Sequence, residues 1–118
     1  MKTIFVVDDS DTNLAKVEEA LGYRYCVFTI PSAEKMFTLL EKITPDLILL
    51  DIEMPDTDGF AALQHLKALD SYSNIPVIFL TGTIDASIEE KSAKLGAVGI
   101  VTKPFTPSVL LKKVNLYI

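Results

Sequence analysis

Asp8 and Asp9 stand together after the run Phe5-Val6-Val7, and Asp51 stands after Leu47-Ile48-Leu49-Leu50. Thr81 follows Val77-Ile78-Phe79-Leu80, and Lys103 follows Gly99-Ile100-Val101-Thr102. Each of these polar residues closes a short apolar run of the kind that forms strands. If the runs are neighbouring strands, three carboxylates, a hydroxyl and an ammonium collect at one sheet edge. Two carboxylates about 4 Å apart repel by roughly 4 kcal/mol at an effective dielectric near 20, so three need a counter-charge. Lys103 supplies one. An all-oxygen donor set also suits a hard divalent cation, and Mg²⁺ takes one or two carboxylates while keeping waters and phosphate oxygens. Metal, carboxylate, hydroxyl and lysine together are the equipment of phosphoryl transfer, in which an aspartate can serve as covalent acceptor. In this reading Asp51 is the nucleophile, and Asp8 and Asp9 hold the metal directly or through water. Thr81 hydrogen-bonds one phosphoryl oxygen, and Lys103 pairs with another.

The elements that must position these groups are legible as five apolar runs, at 3–7, 25–30, 47–50, 77–80 and 99–102. They are continuous rather than alternating, the pattern of strands covered on both faces. The intervals are long enough for the helix that each right-handed parallel crossover requires. The first helix is expected from about residue 12, with Leu14, Val17 and Leu21 inward and Gly22 as a left-handed stop. Ser32 caps the second, whose inner face is Met36, Leu39, Leu40 and Ile43, closed by Pro45. The third starts at Asp58-Gly59 and carries Phe60, Leu63, Leu66 and Leu69. The fourth has only Ile88 and Leu95 at helical spacing, so its anchoring is thin. Thr106 as N-cap and Pro107 at the first helical position start the fifth, which uses Leu110, Leu111, Val114 and Tyr117. In an open parallel sheet of this kind ligands bind beyond the carboxyl ends of the strands.

Composition narrows the function classes. The 118 residues fit one domain, and they contain no linker, repeat or low-complexity tract. With 11 basic and 16 acidic residues the net charge is −5, so the chain repels a polyanion and direct nucleic-acid binding is not expected. Apolar runs fall far short of the roughly 18 residues of a membrane helix, and the start lacks a signal-peptide core, so a cytoplasmic protein without a membrane partner is expected. Cys26 is the single cysteine and is expected in the core of the second strand. His65 has no second histidine or cysteine partner to complete a familiar metal set. The five glycines do not form a phosphate-loop spacing.

Taken together, these motifs resemble the receiver domain of two-component response regulators over essentially the whole chain. Phe5-Val6-Val7-Asp8-Asp9-Ser10 resembles the family's first strand and acidic pair. Leu49-Leu50-Asp51-Ile52-Glu53-Met54-Pro55-Asp56-Thr57-Asp58-Gly59 resembles its phosphoacceptor strand and loop. Thr81 after the fourth run, and Gly96-Ala97 through Thr102-Lys103-Pro104-Phe105, match its remaining signatures. The resemblance implies a single receiver domain over 1–118 with a three-layer α/β, flavodoxin-like (βα)5 doubly wound sheet of order 2-1-3-4-5. It implies phosphorylation of Asp51 by a histidine kinase or histidine phosphotransfer protein, with Mg²⁺, or Mn²⁺ in its place, bound by Asp8, Asp9, Asp51 and the backbone carbonyl of Glu53. Such a domain is no conventional enzyme, since it catalyses its own phosphoryl acceptance and autodephosphorylation, and the Glu53 side chain is placed to influence the latter. Pro104 would follow a cis peptide, and Asp58 and Gly59 would shape the loop. The face formed by the fourth helix, fifth strand and fifth helix would meet a protein target or a second copy, using Ile88, Lys91, Lys94, Ile100, Lys112 and Tyr117.

Two positions depart from the family pattern. Ile100 stands where Tyr or Phe is usual, so no ring can rotate inward on activation. Gly82 stands where Ala is common and loosens the loop. Activation is therefore expected to run through the segment 81–85 and the thinly anchored fourth helix. Two other readings use the same residues. A Mg²⁺-dependent aspartyl phosphatase would need a cap that 118 residues do not provide, and would place a second Asp where Glu53 stands. A receiver-like interaction module that is never phosphorylated would not need the full set of acids, Thr81 and Lys103.

Overall fold

The protein, described here by a computed structural model covering residues 1–55 and 57–118, is built from five strand–helix units. Asp56, within the loop motif above, lies outside the described residues. The elements are β1 (Thr3–Val7), α1 (Asp11–Leu21), β2 (Cys26–Ile30), α2 (Ala33–Leu40), β3 (Leu47–Asp51), α3 (Gly59–Ala68), β4 (Val77–Thr81), α4 (Ala86–Leu95), β5 (Gly99–Thr102) and α5 (Pro107–Asn115). All strand pairs are parallel, in the order β2-β1-β3-β4-β5. The chain leaves β1 on one side and returns on the other through β3, so the crevice beyond β1 and β3 is the topological switch point.

Alternation along the strands divides the core in two. Phe5, Val7, Ile48, Leu50 and Phe79 pack under α2 and α3, whereas Ile4, Val6, Leu49, Ile78 and Leu80 pack under α1 and α5. The three central strands are fully covered, which is why their runs read as continuous. Each helix starts at a side chain that accepts the N–H three residues on: Ser10, Ser32, Asp58, Asp85 and Thr106. Such caps contribute about 1 kcal/mol each. Among the described residues no helix is long and apolar enough to cross a membrane.

Several expectations are corrected. Cys26 is exposed rather than in the core, because β2 is an edge strand with one neighbour and only Ile30 fully buried. Gly22 is right-handed, at φ −65°. A side chain there would press on the Glu18 carbonyl oxygen, 2.6 Å from the Cβ position. The left-handed stop is Gly96, at φ 96°, after α4. Helix α2 ends at Leu40, ahead of Ile43 and Pro45, and Leu69 is the residue that ends α3. In α4 neither Ile88 nor Leu95 is fully buried; Ser92 is, and its hydroxyl has no partner among the described residues.

Candidate functional site

The five residues singled out at strand ends converge beyond the carboxyl edge of the sheet. Asp51 is the last residue of β3 and Thr81 the last of β4, while Asp8 and Lys103 directly follow β1 and β5. Asp8 and Asp51 are buried, at 0% and 1% exposure, and Asp9 is exposed. The Lys103 ammonium reaches into this cluster, 3.0 Å from Asp51 Oδ1 and 3.4 Å from Asp8 Oδ2. The Lys103–Pro104 peptide is cis.

Local backbone and one helix side chain hold the acids in place. The Ser10 N–H donates to Asp8 Oδ1 at 2.9 Å, and Asn13 Nδ2 donates to Asp8 Oδ2 at 3.2 Å. The Glu53 N–H donates to Asp51 Oδ1 at 3.3 Å, and the Glu53 side chain is exposed at the mouth of the site. Asn13 and Ser10 were not singled out from the sequence. Their signal is that a residue two positions past an acid closes a tight turn back onto it, and the first helical turn then returns Asn13 to the same carboxylate.

Electrostatics follow from this geometry. Burial pushes the Asp51 carboxyl up from its usual 3.8 to about 6; the Asp8 charge adds to the rise, and the Lys103 hydrogen bond opposes it. Burial disfavours the Lys103 ammonium, yet the hydrogen bond to Asp51 and the charges of Asp8 and Asp51 together hold its pKa above the ordinary 10.5. One lysine thus does not neutralise the cluster. Carboxylate oxygens of Asp8, Asp9 and Asp51 lie within 4.8 Å of one another. Three hard donors at that spacing, one facing water, fit a small divalent cation that retains solvent ligands.

The profile of the response regulator receiver domain matches residues 4–115. The chain belongs to that family. It is 34% identical over 116 residues to a probable cyclic di-GMP phosphodiesterase of Vibrio cholerae, covering 98% of this chain and 26% of that protein. It is 31% identical to the sensory transduction protein BceR of Halalkalibacterium halodurans, covering 98% of this chain and 49% of that one. The chain therefore spans about a quarter to a half of the length of these curated relatives. Among solved structures it resembles the Vibrio cholerae chemotaxis protein CheY4, with a TM-score of 0.95 and 27% identity over 100% of this chain and 99% of that one. The BeF3-activated receiver domain of DrrB superposes with a TM-score of 0.89 and 32% identity, over 99% and 97% of the two chains. The sheet order and the acidic cluster are those of a receiver domain built for phosphoryl and metal binding.

In this receiver domain Thr81 is buried, but its hydroxyl donates to the Thr83 carbonyl at 2.7 Å and accepts the Thr83 N–H at 3.1 Å. Gly82 between them is exposed. Ile100 is half-buried against the core beneath α4. Aromatic packing appears instead one strand and one helix away. Phe79 of β4 meets Phe60 of α3 edge-on at 5.3 Å, and Lys91 of α4 lies 4.4 Å over the Phe60 ring. Lys94 is exposed and paired with Glu90 at 3.2 Å, Lys112 is exposed, and Tyr117 lies beyond α5 at 38% exposure. His65 stacks on Phe37, with centroids 4.3 Å apart, tying α3 to α2.

Proposed function

We propose that this domain is a phosphorylation-dependent switch in which Asp51 takes a phosphoryl group from the phosphohistidine of a histidine kinase or histidine phosphotransfer protein. The observation that carries the reading is Lys103 Nζ bridging Asp51 and Asp8 inside the acidic cluster. Asp51 Oδ1 already accepts Lys103 and the Glu53 N–H, which leaves Oδ2 to attack phosphorus. The P–N bond of the donor breaks, its electron pair returns to the imidazole nitrogen, and that nitrogen takes up a proton. Lys103 then pairs with a phosphoryl oxygen. Asp8, Asp9, Asp51 and the Glu53 backbone carbonyl would hold Mg²⁺, or Mn²⁺ in its place, which neutralises charge on the phosphoryl oxygens.

For Thr81 to hydrogen-bond a phosphoryl oxygen, its hydroxyl must leave the Thr83 carbonyl. The loop through Gly82 then moves with it. In this reading the movement reaches α4, which buries one residue only, and the face of Ile88, Lys91, Ile100 and α5 presents the signal to a protein target or a second copy. The 118 residues act as one receiver domain in the cytoplasm. Hydrolysis of the acyl phosphate by water ends the signal, with Glu53 at the site mouth setting its rate.

Intact-mass measurement after treatment with a small phosphodonor and Mg²⁺ tests the assignment. One added phosphoryl group is expected on the native chain and none on Asp51→Asn. Equal labelling of both would overturn it, and sustained turnover of phosphate esters would favour a phosphatase.

A further inference from the structure

The β2 edge, the adjoining flank of α2 and two unpaired lysines have no part in the phosphoacceptor site. The ladder between β1 and β2 runs from the Cys26 N–H on the Lys2 carbonyl to the Asp8 N–H on the Ile30 carbonyl. That phase turns the backbone polar groups of Cys26, Phe28 and Ile30 toward β1, and those of Val27 and Thr29 outward. The outward row is unpaired among the described residues, because β2 ends the sheet. Strand Cys26–Ile30 contains no charge and no proline, the usual devices that blunt an edge.

Beside this edge lies a groove of about 290 Å³ lined by Ile30, Pro31 and Leu39, together with Lys35 of α2 and Lys42 just past its end. Lys35 and Leu39 lie one turn apart on the same face of α2, and Lys42 follows in the turn just past the helix end, so apolar surface lies between two ammonium groups. Glu34 falls one residue before Lys35, about 100° around the helix and off that face, and Glu41 caps the helix end. Neither lysine is in an ion pair among the described residues. A positive groove on a chain of net charge −5 is a local feature with its own complement.

We propose that this edge binds an extended acidic segment of a partner protein as a sixth strand, by strand addition to β2. The partner's backbone pairs with Val27 and Thr29. An acid, an apolar residue and an acid at alternate positions place the apolar side chain against Leu39 and the carboxylates at Lys35 and Lys42. The lengths are compatible: Lys35 lies in the first turn of α2 and Lys42 two residues past its end at Leu40, seven residues that cover about 10.5 Å at the helical rise, and alternate acids spanning four extended residues cover about 13 Å. A second copy of this chain is the poorer occupant. Two-fold pairing of β2 edges sets the α2 helices antiparallel, with Lys35 of one copy beside Lys42 of the other.

The probe is the blocked peptide Thr-Glu-Thr-Val-Thr-Glu-Thr, with Thr-Lys-Thr-Val-Thr-Lys-Thr as its charge-reversed control, titrated into the labelled chain and followed by amide spectra. Saturable shifts of the Val27 and Thr29 amides are expected with the acidic peptide only. The Lys35→Glu/Lys42→Glu double variant should bind it about tenfold more weakly and should now respond to the lysine peptide. Thr29→Pro, which removes one outward N–H and is tolerated on an edge, should abolish binding while leaving the rest of the spectrum folded. Equal response to both peptides, shifts confined to α4, β5 and α5, or no saturable shift at millimolar peptide would overturn the proposal. So would a dimer of the chain alone that Thr29→Pro dissociates in sedimentation.

Discussion

Buried and facing Asp8, the Asp51 carboxyl ionises near pH 6 in the folded chain and near 3.8 in the unfolded one. Between those values the native state holds more protons, so stability falls as pH rises through the window. The full loss, present above about pH 6, is roughly 3 kcal/mol. Lys103 has the same sign in a higher window: its raised pKa contributes stability that is complete below 10.5 and lost as pH rises through its higher folded value. Urea unfolding of the metal-free chain between pH 4 and 8 should therefore show declining stability, and Asp51→Asn should flatten the decline and be the more stable protein at pH 7. Parallel slopes for the two would refute the assignment of that titration to Asp51. Lys103→Met removes the hydrogen bond that opposes the rise, so its declining limb should shift to higher pH in the same series.

At the scale of elements, two glycines near the site separate packing from loop freedom. A Cβ on Gly59 would sit 2.4 Å from the Asp51 carbonyl oxygen and 2.8 Å from Ile52 Cα. Backbone cannot yield as a side chain tip does, so Gly59→Ala should cost about 1–3 kcal/mol and slow labelling of Asp51. A Cβ on Gly82 meets nothing within 4 Å, and its φ is not positive. Gly82→Ala should therefore stabilise by about 0.4–1 kcal/mol, read as a raised urea midpoint at unchanged slope. Helix α4, burying only Ser92, should exchange its amides faster than the other four helices. Uniform protection across the helices would refute that. Thr106, Pro107 and Ser32 were legible as helix starts because capping is local. The burial of β2 was not, since an apolar run reads alike whether both sides or one are paired, and Cys26 owes its exposure to strand order rather than to its own neighbours. The convergence of Asp8, Asp51 and Lys103 was legible only as strand-end placement until the resemblance supplied an order. The engagement of Thr81 with Thr83 depends on loop conformation, which the residue types leave open.

Across the whole molecule, the parallel sheet concentrates negative charge at one rim of a chain that is already acidic. A cation bound there should link site chemistry to global stability, because the unfolded chain scatters Asp8, Asp9 and Asp51 along the sequence and has no comparable site. At about one hundred times its dissociation constant, a ligand that binds only the native state adds about 2.7 kcal/mol, which for a domain of this size raises the melting temperature by on the order of 10 °C. Calorimetry with and without saturating Mg²⁺ should show such a rise near pH 7. Because the carboxylate must be ionised to take the metal, the rise should shrink as pH falls through about 6, where Asp51 regains its proton. Asp9→Asn removes the water-facing carboxylate of the cluster without disturbing the buried pair, so it should retain the metal-free melting temperature and lose most of the Mg²⁺ increment. A variant that melted lower without Mg²⁺ yet kept the whole increment would place the cation elsewhere.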